Sequence, residues 1–503
     1  MKVLLIWPLS DTVESDRSKR ALMQSRDKLG ILYIASYLEK YNINVTILDM
    51  DIEYASWHKA RKVIKRLNPD IVGISIMTHT RFTGFKAAKM VKKILPKCLV
   101  VAGGPHVSPT ARDTLSYIKA IDVVVIGEGE ETMYEICNAV ANGKDLTLID
   151  GIAYRRNGEY FETKPRKTIE NLDILPFPAR HLLKRYYDKS YPKSRMLWVN
   201  KDGNFETTEV ASIITSRGCP NRCSFCTTNA IFGKKVRERT PENIIAELEH
   251  IVNNYNTRSF YIVDDTLTMN EPRITKICDL IAEKKLGIQW MCLTRVDCLS
   301  LKLLEKMKAA GCVYITMGVE SGSQRVLDEI IKKRITLEQA RKALSWCRDI
   351  GIGVRFNFML SFPDETYKEM LETLNASIEL GHSGMNITVI MPGTEIEKEA
   401  LKRGVLPNNF TWSRRAIYPK VDPFFTGIEY YYIENIDFPD VLSVYLKYAN
   451  MQKYYTTNSL IKRHIEKILQ IKSFSEIYWL FMFYLGTSIV MLKRKFFKIR
   501  QII

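Results

Sequence analysis

The sequence predicts an α/β chain: a doubly wound parallel-sheet domain, then a partial (β/α)6 barrel, then a mostly helical tail. Three observations predict it. Two series of short, apolar, β-branched runs alternate with segments of helical periodicity, one before residue 142 and one after residue 211. Glycines, carboxylates and cysteines collect just past the ends of those runs. Between the two series, Leu175-Pro176-Phe177-Pro178 interrupts regular structure as a linker does.

Bulk properties frame the reading. A chain of 503 residues suggests about three domains, and the boundaries fall at 1–142, 143–210, 211–400 and 401–503, the last being an extension. The net charge of +18 calls for an anionic partner, whether substrate, nucleic acid or membrane surface. The opening Met1–Pro8 is too short an apolar run for a signal peptide and reads as a strand. Ten cysteines without such a signal point to a reducing compartment, with cytoplasm as the expectation.

In the first series, strands are expected at Lys2–Trp7, Asn44–Asp49, Asp70–Met77, Leu99–Ala102 and Ile121–Ile126. Helices are expected at Leu29–Lys40, Phe82–Leu95, Thr110–Tyr117 and Thr132–Ala141. Continuous apolar strands separated by helices mean a parallel, Rossmann-like sheet of flavodoxin type, with ligands at its carboxyl ends. Those ends carry Ser75, Thr78 and His79, then Gly103-Gly104-Pro105-His106, then Gly127-Glu128-Gly129-Glu130. Glycines there let backbone approach a large flat ligand or a phosphate. A nicotinamide fingerprint is disfavoured, because Thr132 replaces the third glycine and the motif follows the fifth strand instead of the first.

The connector opens with a hairpin over Gly151–Thr163, turned at Asn157-Gly158. Its basic, tyrosine-rich stretch Lys184–Arg195 reads as a solvated or lid surface. The second series then places strands at Ala211–Ser216, Ser259–Val263, Ile288–Leu293, Val313–Met317, Val354–Leu360 and Asn386–Ile390. Helices Pro241–Tyr255, Pro272–Lys284, Leu301–Ala309, Leu337–Asp349 and Tyr367–Glu379 separate them, the first capped by Thr240 with Pro241 at its first position. Six βα units in succession argue for a TIM-like barrel whose site lies just past the strands. The first strand runs into Cys219-Pro220-Asn221-Arg222-Cys223-Ser224-Phe225-Cys226.

Three thiolates at C-x₃-C-x₂-C spacing suit a four-iron cluster with one iron left open. Structural zinc is the alternative, but it wants a fourth ligand nearby and the next downstream candidate is His250. The barrel context favours the cluster. Cys278, Cys292, Cys298, Cys312 and Cys347 are scattered over helices and strands and read as small buried hydrophobes.

The run RGCPNRCSFC resembles the signature of radical S-adenosylmethionine (SAM) enzymes. VAGGPHVSP followed by DVVVIGEGEET resembles the cobalamin-binding domain carried by one subgroup of them, and the likeness covers roughly residues 1–400. It implies that Cys219, Cys223 and Cys226 hold a 4Fe-4S cluster whose open iron binds SAM. It further implies Phe225 against the adenine, Asp264 and Asp265 at the SAM ammonium (helix capping or an ordinary loop acid being the alternative), and Glu320 and Ser321 at its ribose or amino-acid part. Arg355 is expected to face into the barrel, toward the SAM carboxylate or into a rim salt bridge. Ser75, Thr78, Gly103, Gly104, Gly127 and Gly129 are the corresponding cobalamin contacts. No Asp-x-His-x-x-Gly occurs, so the resemblance implies cobalamin without a histidine on cobalt, and His79 and His106 read as loop histidines. In FMLSFPDET, Ser361 and Asp364 stand where the family pattern has glycines.

The implied reaction is methylation of an unactivated carbon of an apolar or anionic small molecule or lipid, fed by flavodoxin or ferredoxin. The arrangement is similar to anaerobic magnesium-protoporphyrin ester cyclases and hopanoid-modifying enzymes, so oxidative ring formation is the alternative. An RNA-modifying radical enzyme is disfavoured, since the N-terminal region has only Cys98 and Cys137 and no small β-barrel follows residue 400. A non-catalytic corrinoid or iron–sulfur carrier is the remaining class. In the tail, Ile477–Leu492 carries no charge and precedes Lys493-Arg494-Lys495. At about 1.5 Å per residue it falls short of a ~30 Å bilayer core. Residues 474–500 are therefore expected either to lie on the inner face of a membrane or to pack on the barrel.

Overall fold

The computed structural model describes residues 1–11, 27–51, 56–187, 195–199, 205–381, 383–418, 421–422, 427–434 and 438–451. The first five strands are β1 (Lys2–Trp7), β2 (Asn44–Asp49), β3 (Ile71–Ser75), β4 (Leu99–Gly103) and β5 (Val123–Val125). They pair in parallel in the order β2-β1-β3-β4-β5. The hairpin β6 (Ile152–Arg156) and β7 (Glu159–Glu162) adds antiparallel to β5, so the sheet runs on past residue 142.

Alternation along the strands builds two cores. Leu4, Ile6, Val72 and Ile74 face one side, while Val3, Leu5, Ile71 and Val101 face the other. Helices α1 (Leu29–Lys40) and α5 (Glu130–Asn142) cover the second face; α2 (Trp57–Leu67), α3 (Arg81–Ile94) and α4 (Ala111–Tyr117) cover the first. Helix α2 was not among the elements expected from sequence. Only Ala60 and Ile64 of it are buried, an apolar stripe too thin to stand out in a basic segment.

A second hairpin, β8 (Arg195–Val199) and β9 (Phe205–Glu209), precedes the barrel. The barrel strands are β10 (Ala211–Ile213), β13 (Ser259–Ile262), β14 (Gln289–Thr294), β15 (Cys312–Glu320), β16 (Gly353–Leu360) and β17 (Ser383–Ile387), all parallel and in that order. Between the first two, β11 (Ser216–Arg217) pairs antiparallel with β12 (Arg237–Glu238) around the cysteine loop and the short helix α6 (Thr228–Ile231). Helices α7 (Pro241–Tyr255), α8 (Glu271–Glu283), α9 (Leu301–Ala309), α10 (Leu337–Ile350) and α11 (Tyr367–Glu379) alternate with the strands, and α12 (Glu395–Lys402) and α13 (Phe438–Met451) follow. Phe356, Phe358 and Leu360 join the core under the helices, which leaves Arg355, Asn357 and Met359 on the barrel interior.

Two sequence expectations change. The last strand ends three residues early, because the next segment pairs with the C-terminal chain instead: Ile390 N donates to Tyr430 O at 2.7 Å and Tyr432 N to Thr388 O at 2.9 Å. The Lys184–Arg195 stretch is not simply a solvated surface. Arg185 is buried against Asp27, and the Tyr186 hydroxyl donates to the same carboxylate at 2.7 Å. Arg180 likewise meets Glu247 at 2.7 Å with both side chains 1 % exposed. Residues 188–194 lie outside the described chain.

The extension after residue 400 touches both sheets. Arg81, fully buried, donates to Thr78 O at 2.7 Å and Trp412 O at 3.3 Å, while the Ser361 hydroxyl donates to Tyr432 O at 2.5 Å. Among the described residues no helix is long and apolar enough to cross a membrane; the 474–500 segment lies outside them.

Candidate functional site

The cysteine loop hangs from the β11–β12 pair. Gly218 permits the turn: its φ is +92°, and a Cβ there would stand 2.3 Å from Lys235 O. Cys219, Cys223 and Cys226 are free and half-buried. Asn221 Nδ2 donates to Cys219 Sγ at 3.4 Å, and Cys226 Sγ meets the Thr228 hydroxyl at 3.3 Å. Burial pushes the Cys223 thiol up while Lys333 pulls it back, and burial raises Cys226 against its hydrogen bond with Thr228. Among the described residues no three His, Cys, Asp or Glu side chains converge as ligands of one ion. A four-iron core has irons at separate corners and does not require such convergence.

The acids after β13 diverge. Asp264 is fully buried and fully used: its carboxylate accepts Thr215 N at 2.6 Å, the Thr215 hydroxyl at 2.5 Å and the Ser216 hydroxyl at 2.6 Å. It ties the end of β10 to β13, which is a structural task. Asp265 is open to solvent, accepts from the Thr228 hydroxyl at 2.9 Å, and has its pKa raised by the protein packed around it.

At the end of β15 the pair predicted from sequence also splits. Glu320 has φ +77°, a costly conformation for a side chain with a Cβ, and its carboxylate meets Lys333 Nζ at 2.7 Å in a buried pair. Ser321 turns away, to the Thr373 hydroxyl at 3.1 Å and Ser323 N at 3.1 Å. Lys333 was not foreseen. It sits in the run Lys332-Lys333-Arg334, which reads as solvated, but φ of +61° at Lys332 and +56° at Arg334 turns the chain so that Lys333 points inward. Lys333 O also accepts from Arg295 at 2.9 Å. Phe225 rests 6.1 Å from the Phe362 ring. Arg355 lies three residues before Phe358, the Cα partner of Glu320, which at about 3.3 Å per residue is roughly 10 Å lower in the barrel.

The first sheet's carboxyl ends present a second candidate surface. A Cβ on Gly103 would meet only Val125 at 3.7 Å, and one on Gly127 only Ile231 O at 3.8 Å, so both glycines border open space. Ser75 is half-buried beside them. The other three expected contacts are committed to the fold. Thr78 bonds His106 at 3.3 Å, Gly104 (φ +108°) lies against Ile76 backbone, and Gly129 packs on Ile34. His106 is wholly buried between Phe85 and Trp412, and burial drives its pKa well below the ordinary value. His79 is exposed.

The Gly127-Glu128-Gly129-Glu130 turn does something the sequence did not suggest. Glu128 accepts from Arg217 at 2.7 Å and from Arg237 at 2.7 Å, and Glu130 accepts from Arg217 at 2.6 Å, all buried. Burial alone would lower the Arg217 pKa, but Glu130 and Glu128 hold it above the usual value. Of the five scattered cysteines, Cys278, Cys292, Cys312 and Cys347 are core residues, and Cys298 is half-buried.

A thiol-bearing loop atop a parallel barrel, facing the glycine-edged ends of a doubly wound sheet, defines a radical SAM enzyme joined to a corrinoid domain. Residues 213–377 match the radical SAM superfamily and residues 26–137 the B12 binding domain. The chain belongs to the cobalamin-dependent radical SAM family, enzymes that use a 4Fe-4S cluster, SAM and cobalamin. The uncharacterized methyltransferase PH0819 of Pyrococcus horikoshii is 32 % identical over 425 residues, covering 84 % of this chain and 87 % of that one. Cytidylyl-2-hydroxyethylphosphonate methyltransferase of Streptomyces wedmorensis is 27 % identical, covering 80 % and 82 %. Anaerobic magnesium-protoporphyrin IX monomethyl ester cyclases and a hopanoid C-3 methylase are further relatives. The methyltransferase TsrM of Kitasatospora setae shares the fold, with a TM-score of 0.65, 16 % identity and coverage of 80 % and 78 %.

Proposed function

We propose that this enzyme methylates an unactivated carbon of an anionic small molecule. Cys219, Cys223 and Cys226 would ligate the cluster. SAM would lie over the β13 and β15 ends, near Asp265 and the Glu320–Lys333 pair, with Phe225 beside its base. Cobalamin would occupy the space bordered by Ser75, Gly103 and Gly127. When bound, the cluster supplies the electron that cleaves SAM, and the corrinoid carries the methyl group. The protein's part is to hold the two ligand surfaces against each other and to keep water out.

The observation that carries this reading is the meeting of those surfaces. The space beside Gly127, at the β5 end, abuts Ile231 O of α6, five residues past Cys226. An anionic substrate fits Arg355, exposed on the inner face of β16 with no acid partner among the described residues, and fits the charge of +18. Asp264 and Ser321, being internally bonded, are assigned no SAM contact. A flavodoxin- or ferredoxin-type reductant, and contact of 474–500 with the inner face of a membrane, belong to the same proposal.

Anaerobic reconstitution tests it. The protein should bind both cofactors and cleave SAM under strong reductant, and with substrate it should release one S-adenosylhomocysteine per 5′-deoxyadenosine. Deoxyadenosine alone would mean ring formation, and no SAM cleavage would mean a carrier. Cys223→Ala should lose the cluster spectrum; normal cluster content would refute the ligand assignment.

A further inference from the structure

The Glu128, Glu130, Arg217 and Arg237 cluster joins the two ligand-bearing loops into one body. Arg217 and Arg237 are direct partners in the β11–β12 pair, so their guanidinium groups leave one short ribbon and converge on Glu128. Arg217 stands two residues before Cys219; Glu128 and Glu130 flank Gly129 at the turn from β5 into α5. Glu128 Oε2 also accepts from Ile169 N at 2.9 Å, which anchors the acid from the connector. The four side chains are between 1 and 5 % exposed. Two cations and two anions are balanced and nearly withdrawn from water. Neither loop can shift without leaving a buried charge unpaired.

We infer that these four residues are positioning residues that couple corrinoid binding at the β5 end to cluster assembly on the cysteine loop. Ordering one loop pre-pays part of the ordering of the other, and linkage makes the effect reciprocal. The inference rests on the cofactor sites proposed above.

The test compares the dissociation constant of hydroxocobalamin for the full-length chain with and without its reconstituted cluster. The expected result is tighter binding by on the order of 10-fold when the cluster is present. In Glu130→Gln, which keeps the shape and both Glu128 contacts, that ratio should fall to within about 2-fold of unity. Glu130→Asp, which keeps the charge but shortens its reach, should lower the ratio as well. Far-UV circular dichroism identifies the folded variants, and the ratio in either one decides. A merely structural role would weaken both affinities and leave their ratio unchanged. A wild-type ratio of one, or an undiminished ratio in a folded variant, overturns the coupling. Failure of the wild-type chain to take up either cofactor overturns the underlying site assignment instead.

Discussion

Asp264→Asn asks whether that carboxylate faces a ligand or the protein. Its three donors, Thr215 N, the Thr215 hydroxyl and the Ser216 hydroxyl, all lie within 2.6 Å, and the side chain has no exposed surface. Hydrogen bonds to a charged acceptor contribute about 1.5–3 kcal/mol and neutral ones about 0.5–1.5. Removing the charge from three bonds at roughly 1 kcal/mol each gives a loss of about 3 kcal/mol, on the order of 100-fold in the folding equilibrium. The asparagine amide can donate back to the two hydroxyls, so the figure is an upper estimate. Because Ser216 leads directly into Arg217 and the cysteine loop, cluster yield should fall with stability. Urea denaturation of the apo protein, followed by circular dichroism, should show a lowered midpoint. If the midpoint matched wild type while SAM affinity in the reconstituted enzyme collapsed, the structural role argued for Asp264 would be wrong.

Gly318→Ala should displace the Glu320–Lys333 pair, since the new methyl would stand 2.1 Å from Glu320 Oε1 and 2.6 Å from Lys333 Nζ. Both atoms are the tips of flexible side chains that can move aside together, so a thermal melt should shift little while a parallel SAM-binding measurement registers the displaced pair. Unchanged SAM binding would remove the pair from the proposed SAM site. Glu369 accepts hydrogen bonds from Arg325 at 2.7 and 2.8 Å and from Thr366 and Ser323, which lower its pKa from 4.5 to about 2. A depressed carboxyl stabilises the fold above its unfolded value and stops doing so as pH falls through its folded value. Acid titration of the apo protein should therefore show a loss of stability between pH 4.5 and about 2 that is smaller in Glu369→Gln; identical curves would remove Glu369 from the acid response.

Two alternations of strand and helix, a cysteine spacing and glycines past strand ends are local signals, and the sequence alone determined the two-sheet architecture and the place of the cysteine loop from them. The family resemblance, not a local signal, put glycines at two positions of FMLSFPDET, and the backbone at both is left-handed. Ser361 and Asp364 have φ of +69° and +57°, a strain of about 1–2 kcal/mol each. Contacts offset it: the Ser361 hydroxyl bonds Tyr432 O, and Asp364 makes a two-point pair with Arg403 at 2.7 and 2.8 Å. Those partners are far along the chain, as are Glu128 and Arg217, 89 residues apart. Which of Asp264 and Asp265 turns inward, why Lys333 enters the site, and what Glu128 is for were decided only by tertiary structure. A residue type and its spacing define what a side chain can bond. Packing between distant segments decides which bond it makes, because a buried charge must take the partner that the fold delivers.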